Sequence, residues 1–210
     1  MSKAPSTAWY DVFSTFYDTA LDATYRPHRE AALAALAPEP GMTVVDVGCG
    51  TGASFSLLAG AVGAQGRVVG VDASAGMLAK ARRRVERHGW QNVELLSVGE
   101  GSLSSQPWAA QLGRVDRVQC FLTMSVIPDW ERVLSEWLDA LAPGGRLVIA
   151  DVYNAEPGPY ARLVELTARA QIRRRRWELL HARTSSFDLS WQKSSWSLGG
   201  QFFIARGDRA

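Results

Sequence analysis

Short apolar runs, each closed by a polar residue or a glycine, recur along the chain up to about residue 152 and alternate with longer amphipathic stretches. The run containing Met42, Val44, Val45 and Val47 suits a strand covered on both faces. Arg67 to Asp72 is a second such run, Val93 to Val98 a third with a turn at Gly99-Glu100-Gly101, and Val115 to Leu122 a fourth. Leu147 to Ala150 opens a fifth. Between them, Ala53 to Gly63 reads as a helix, and a second helix follows Ser74, whose hydroxyl suits an N-cap. Pro128 to Leu141 reads as a third, with Val133, Leu134, Trp137, Leu138 and Leu141 at helical spacing. Leu141-Ala142-Pro143-Gly144-Gly145-Arg146 then closes it, because proline stops a helix and the glycines permit a tight turn. Strands alternating with helices predict an α/β chain built on a parallel sheet.

Beyond residue 152 the pattern changes. Pro159 to Leu180 reads as one long helix, with Leu163, Leu166, Ala170 and Trp177 on one stripe and Arg162, Arg169, Arg173 and Arg176 on the next. Thr184 to Ser190 alternates as a strand, and Gly199 to Gly207 reads as its antiparallel partner. At the other end, Trp9-Tyr10-Asp11 and Phe16-Tyr17-Asp18 place Tyr10 and Tyr17 seven residues apart on one helical face.

Composition narrows the class. At 210 residues, one domain with a sizeable core is expected. Charge is nearly balanced, with 23 Lys and Arg against 21 Asp and Glu, so bulk electrostatics does not point to nucleic acid. No apolar run approaches the roughly twenty residues that span a bilayer, and the N-terminus lacks a signal-peptide core. A cytoplasmic protein is expected. The two cysteines, Cys49 and Cys120, fall at strand ends and read as reduced packing residues, and no metal-ligand cluster is present.

The candidate chemistry sits at the first strand end. Val44-Val45-Asp46-Val47-Gly48-Cys49-Gly50-Thr51-Gly52 runs from a buried strand into a glycine-rich turn. Glycines at 48, 50 and 52 bring bare amides close to a ligand, and the helix that follows points its N-terminus at it. Gly48-x-Gly50-x-x-Ala53 satisfies a loose dinucleotide fingerprint, which keeps a NAD(P)-binding oxidoreductase open as a reading. Asp46, however, would repel a pyrophosphate and suits a cationic or amine-bearing ligand. Asp72 falls about twenty residues after the turn, where an acid can hold the two hydroxyls of a ribose.

Together, Asp46-x-Gly48-x-Gly50-x-Gly52, the acid Asp72 and the Leu-x-Pro-Gly-Gly run at 141–145 resemble the ordered motifs of the class I S-adenosylmethionine-dependent methyltransferases. The resemblance covers roughly residues 40–152. It implies a three-layer Rossmann-like fold, a mostly parallel seven-stranded sheet with an antiparallel last strand, under an N-terminal helical lid. On that division, 1–38 is the lid, 40–152 the cofactor-binding core, and 153–210 a basic helix with a C-terminal hairpin. It also implies S-adenosyl-L-methionine as cofactor, held by Asp46, Gly48, Cys49, Gly50 and Asp72. Ala73 and Met77 would line the adenine slot, Gly99 and Glu100 would stand at its far side, and Leu122 would open the loop facing the transferred methyl group. In that loop, Thr123, Met124 and Ser125 supply no obvious general base.

Acceptor choice must be read from the lid and the tail. Tyr-Asp-x-x-Ser-x-x-Tyr-Asp in the lid resembles methyltransferases of quinones, sterols and phospholipid amines, in which Tyr17 would approach the cofactor. Arg26 could neutralise a cofactor carboxylate or an acceptor phosphate, or simply lie in solvent before Pro27. Tyr17, Tyr25 and His28 are the catalytic candidates, His28 being the one lid histidine able to act as a base. The closing Gly-Gly-x-Phe-x-x-Ala-x-Gly is similar to bacterial phospholipid N-methyltransferases, including those of phosphatidylethanolamine and betaine lipids. N-methylation of a lipid headgroup amine is therefore the first expectation, and O- or C-methylation of a soluble small molecule or quinone the second. A module that holds the cofactor without turnover is a third. The arginine run at 173–176 allows peripheral contact with an anionic membrane, or is a solvated face.

Overall fold

The computed structural model describes residues 24–99, 101–156, 158, 162, 165, 170–192 and 201–210. Helix α1 covers residues 24–36 among these. It is followed by β1 (Thr43–Val47), α2 (Phe55–Val62), β2 (Arg67–Asp72), α3 (Ala75–His88), β3 (Val93–Ser97), β4 (Val115–Phe121), α4 (Trp130–Ala140), β5 (Leu141–Tyr153), α5 (Trp177–Arg183), β6 (Ser186–Gln192) and β7 (Gln201–Asp208).

The strands form one seven-stranded sheet in the order β3-β2-β1-β4-β5-β7-β6. Neighbours from β3 to β5 are parallel, and β7 runs antiparallel to both β5 and β6. Apolar residues of each central strand point to both faces, so each face needs a helical cover. On one face, Ala32 and Leu36 of α1 and Phe55 and Leu58 of α2 pack with Val44, Val68, Val148 and Phe202. On the other, Leu134 and Trp137 of α4 and Leu180 of α5 pack with Val45, Val118, Ile149 and Phe203. This is the three-layer arrangement expected. The direction of winding reverses between β1 and β4, which opens a crevice beyond their carboxyl ends.

Element existence matches the sequence pattern closely, but boundaries differ, three of them informatively. The first helix begins at Phe55 rather than Ala53, because the turns through Gly52 extend further. Strand β5 reaches back to Leu141, which pairs with Val115 across a register irregularity. The long helix expected over 159–180 is not formed as such: among its described residues, 170–176 are turn or irregular, and α5 starts only at Trp177. Tertiary hydrogen bonds prevail there over local propensity. The Gln171 amide donates to the Ser125 carbonyl at 2.7 Å, and the Asn154 amide donates to the Ile172 carbonyl at 2.9 Å. No helix of the described residues is long and apolar enough to cross a membrane.

Candidate active site

The loop after β1 is tied down before any ligand arrives. The Gly48 and Cys49 amides donate to the Val71 carbonyl at 2.7 and 3.1 Å, bringing the tips of β1 and β2 together. Gly48 has φ 65°, and a Cβ there would stand 2.3 Å from Thr123 Cγ2, so only glycine lets the loop after β4 approach this closely. Gly50 has φ 56° and differs in kind: among the described residues, a Cβ there would meet nothing within 4 Å. Its open side faces the crevice. Thr123 Oγ1 donates to the carbonyls of Gly48 and Phe121, at 3.2 and 3.0 Å.

Asp72 closes the second side. Its Oδ2 accepts from the Gly50 amide and its Oδ1 from the Ser74 amide, both at 2.8 Å, while Ser74 Oγ caps α3 by accepting from the Met77 amide. A carboxylate has about four acceptor positions, so acceptor capacity remains for a hydroxyl. Burial raises its pKa, and the Ser74, Gly50 and Ala73 amides oppose that. Asp72→Ala is expected to weaken S-adenosylhomocysteine binding about tenfold or more, read by calorimetric titration. Unchanged affinity would mean that the ribose lies elsewhere.

Asp46 is buried at the end of β1, and Gln119 Nε2 of β4 donates to its Oδ1 at 3.1 Å. Loss of solvent pushes its pKa up to about 7; the Gln119 bond and the Arg29 charge oppose this, and the Asp72 charge adds to it. A buried carboxylate held at that threshold is suited to a ligand cation, which would favour its ionised form. The Cys49 and Cys120 thiols are both buried and free, and burial pushes both upward, so they stay protonated. They pack rather than react.

Of the lid candidates, Tyr17 lies outside the described residues, as does Glu100. Arg26 is exposed and pairs with Glu30 at 3.0 Å, one turn along the helix. Arg29, which the sequence pattern did not single out, is the guanidinium that reaches the site: it stands 5.3 Å from the Phe121 ring centre and its charge is felt at Asp46. Tyr25 and His28 join Phe121 and Phe202 in an aromatic cluster, with His28 only 4.4 Å from Phe202. Gly99 is exposed and its amide donates to Gln106 Oε1 at 2.9 Å; Ala73 is exposed and Met77 half-buried at the start of α3. Leu122 takes φ 52°, unusual for a branched side chain, with its amide donating to the Ala150 carbonyl at 2.8 Å.

His28 is buried, and among the described residues neither ring nitrogen meets a hydrogen-bond partner. Burial lowers its pKa; the Thr24 backbone opposes this in part, and the Arg29 charge adds to it. The folded chain therefore takes up the proton less readily than the unfolded one. Stability contributed by neutral His28 is present above pH 6.5 and falls as the pH drops below it. His28→Phe is expected to flatten the loss of melting temperature between pH 7 and pH 5; an unchanged pH profile would remove His28 from that account.

The methyltransferase-domain family model matches residues 38–194. The chain belongs to this family. Its members transfer a methyl group from S-adenosylmethionine, and the nicotinamide reading of the glycine turn falls with that membership. The chain is 37% identical over 128 residues to an arsenite methyltransferase of Halobacterium salinarum, covering 61% of this chain and 31% of that one. It is 30% identical over 143 residues to a demethylmenaquinone methyltransferase of Desulfitobacterium hafniense, covering 68% and 54%. It thus spans only a third to about half of these relatives. Among solved structures, phosphoethanolamine N-methyltransferase 2 of Haemonchus contortus, holding S-adenosylmethionine, superposes with a TM-score of 0.70 at 15% identity, covering 88% and 52%. The geranyl diphosphate C-methyltransferase of Streptomyces coelicolor, holding S-adenosylhomocysteine, gives 0.70 at 18%, covering 88% and 76%. These likenesses show the shared fold. The residues of this chain fit the donor used by the family: Asp46 offers a carboxylate to an ammonium, Asp72 has acceptor capacity for a ribose, and Gly50 leaves its backbone open.

Proposed function

We propose that this methyltransferase acts on an amine of a lipid headgroup. The observation that carries the reading is the loop after β4: Leu122, Thr123, Met124 and Ser125 include no group able to act as a general base at neutral pH, and the Thr123 hydroxyl is already engaged by two carbonyls. An amine that loses its proton to solvent needs alignment with the donor methyl and little else. Arsenite would call for a set of thiolates. The chain has two cysteines, and both are buried and protonated. Methylation of a quinone ring is the second reading, supported by the likeness to the Desulfitobacterium enzyme and by His28, a buried imidazole in the aromatic cluster with Tyr25 and Phe202.

Peripheral contact with an anionic surface belongs to the same proposal in a reduced form. Arg173, Arg174 and Arg175 are exposed, though Glu165 lies 3.3 Å from Arg173 and Glu178 lies 3.4 Å from Arg175. Trp191 is exposed near the end of β6 and packs against Trp177. Incubation with labelled donor and vesicles of phosphatidylethanolamine, free phosphoethanolamine, or a demethylated quinone tests the acceptor. Label is expected in the organic phase as methylated phosphatidylethanolamine. Label confined to the quinone would install the second reading, and label confined to the free headgroup would remove the lipid.

A further inference from the structure

The fourth arginine of the run at 173–176 does not share the exposure of its neighbours. Arg176 is completely buried, and it spends its donors on main-chain carbonyls: Nε donates to Met124 at 2.8 Å, Nη1 to Arg174 at 3.3 Å and Nη2 to Gln171. The guanidinium stands 5.5 Å from the Trp130 ring centre, at the first turn of α4. Burial pushes the pKa of the Asp151 carboxyl up, and the Arg176 charge is the largest influence opposing that. Asp151 in turn accepts from the Ser125 amide at 2.7 Å and the Val152 amide at 2.8 Å.

These bonds converge on one loop. Leu122 is held to β5 through the Ala150 carbonyl, Thr123 to the donor loop through Gly48, Met124 to Arg176, and Ser125 to both Asp151 and Gln171. Every residue from 122 to 125 is thereby fixed, with Leu122 kept at positive φ. The side touching Gly48 borders the crevice between β1 and β4, where a ligand of this fold lies. A buried arginine giving a planar fork to three carbonyls from two segments is costly to bury and specific in geometry. Nothing in sheet assembly requires it.

We propose that Arg176 is a positioning residue for methyl transfer: it clamps the loop Leu122–Ser125 onto segment 171–176 and so sets the wall against which the acceptor is aligned to the donor methyl. The inference rests on methyl transfer itself and not on the lipid amine proposed above. It assigns the buried arginine to the acceptor side and leaves the donor cradle of Gly50, Asp46 and Asp72 independent of it.

The test compares Arg176→Met and Arg176→Lys with Arg83→Gln, an exposed arginine of α3 away from both segments, in the full chain. Three quantities are measured: S-adenosylhomocysteine affinity, amide exchange of Leu122, Ser125 and Val126, and turnover on whichever acceptor the wild type labels. With Arg176→Met, affinity is expected to stay within about twofold while the loop amides exchange at least about tenfold faster. Turnover is expected to fall about a hundredfold, the scale of an ångström-sized misplacement. Arg176→Lys keeps the charge without the fork, so it is expected to restore part of both; Arg83→Gln should match wild type. Affinity falling in step with turnover would reduce Arg176 to a stability residue and overturn the proposal, as would unchanged exchange. Should Arg176→Met not fold, Asp151→Asn loosens the same clamp from the other side and is expected to speed Ser125 exchange in the same way. If the wild type labels no acceptor offered, the lipid reading fails, and affinity and exchange still decide this one.

Discussion

Asp46→Asn is expected to weaken S-adenosylhomocysteine binding at pH 8 by at least about a hundredfold and to abolish its dependence on pH. The carboxyl is buried at the tip of β1 with one amide partner, and its pKa is pushed up to about 7. A ligand ammonium binds the ionised form, so wild-type affinity should rise about tenfold per pH unit up to 7 and level off above it. Asparagine keeps the shape and the bond from Gln119 but removes the charge. Depriving a buried cation of its partner costs about 3–5 kcal/mol, and about 1.4 kcal/mol is a factor of ten.

Stability without ligand should move the opposite way. A carboxyl raised from 3.8 to about 7 favours the folded chain while protonated. That contribution is complete below pH 3.8 and is lost as the pH rises through 7, leaving a cost on the order of 4 kcal/mol at pH 8. The Asn variant should therefore melt above wild type at pH 8, with the gap closing toward pH 5. Calorimetric titration and thermal melts at pH 5, 6, 7 and 8 check both halves. Wild-type affinity that is flat across that range would show that no ligand cation meets Asp46.

Gly50→Val is expected to remove binding altogether, by more than about a thousandfold, while the fold survives. The two neighbouring glycines separate the causes. At Gly50 a side chain enters open space, so the folded chain bears only the strain of positive φ, about 1–2 kcal/mol. At Gly48 a side chain collides with Thr123, so Gly48→Ala should disturb the loop after β4 and lower the melting temperature more than its size suggests. Circular dichroism melts and titration of both variants distinguish them. A Gly50→Val chain that still binds within about tenfold of wild type would place the ligand away from the loop.

Much of this site is legible in short stretches of sequence. Gly48, Gly50 and Asp72 announce themselves because positive φ and a strand-ending acid are local requirements, met within a few residues. Gln119 could have been found as well: a polar side chain between Val118 and Cys120 in an apolar strand needs a partner, and Asp46 is directly opposite it in register. Arg29 was harder. It lies three residues from Arg26 on one helix, and only the packing of α1 on Phe121 and Phe202 shows which guanidinium overlooks the strand tips.

The sequence by itself determined the alternation of strands and helices and the glycine-rich loop after β1, since each depends on hydrophobic period or on backbone freedom within one turn; the chemical class came from the resemblance carried by the motifs at 46–52, 72 and 141–145. Only the tertiary structure decided where the basic run goes. Four consecutive arginines look alike along the chain, yet one of them turns inward because carbonyls of Met124, Gln171 and Arg174 wait there for donors. Those groups are brought together by the pairing of β4 with β5 and the docking of segment 171–176, across about fifty residues of chain. No local periodicity carries that information, and the same bonds interrupt the helix that the pattern over 159–180 favours.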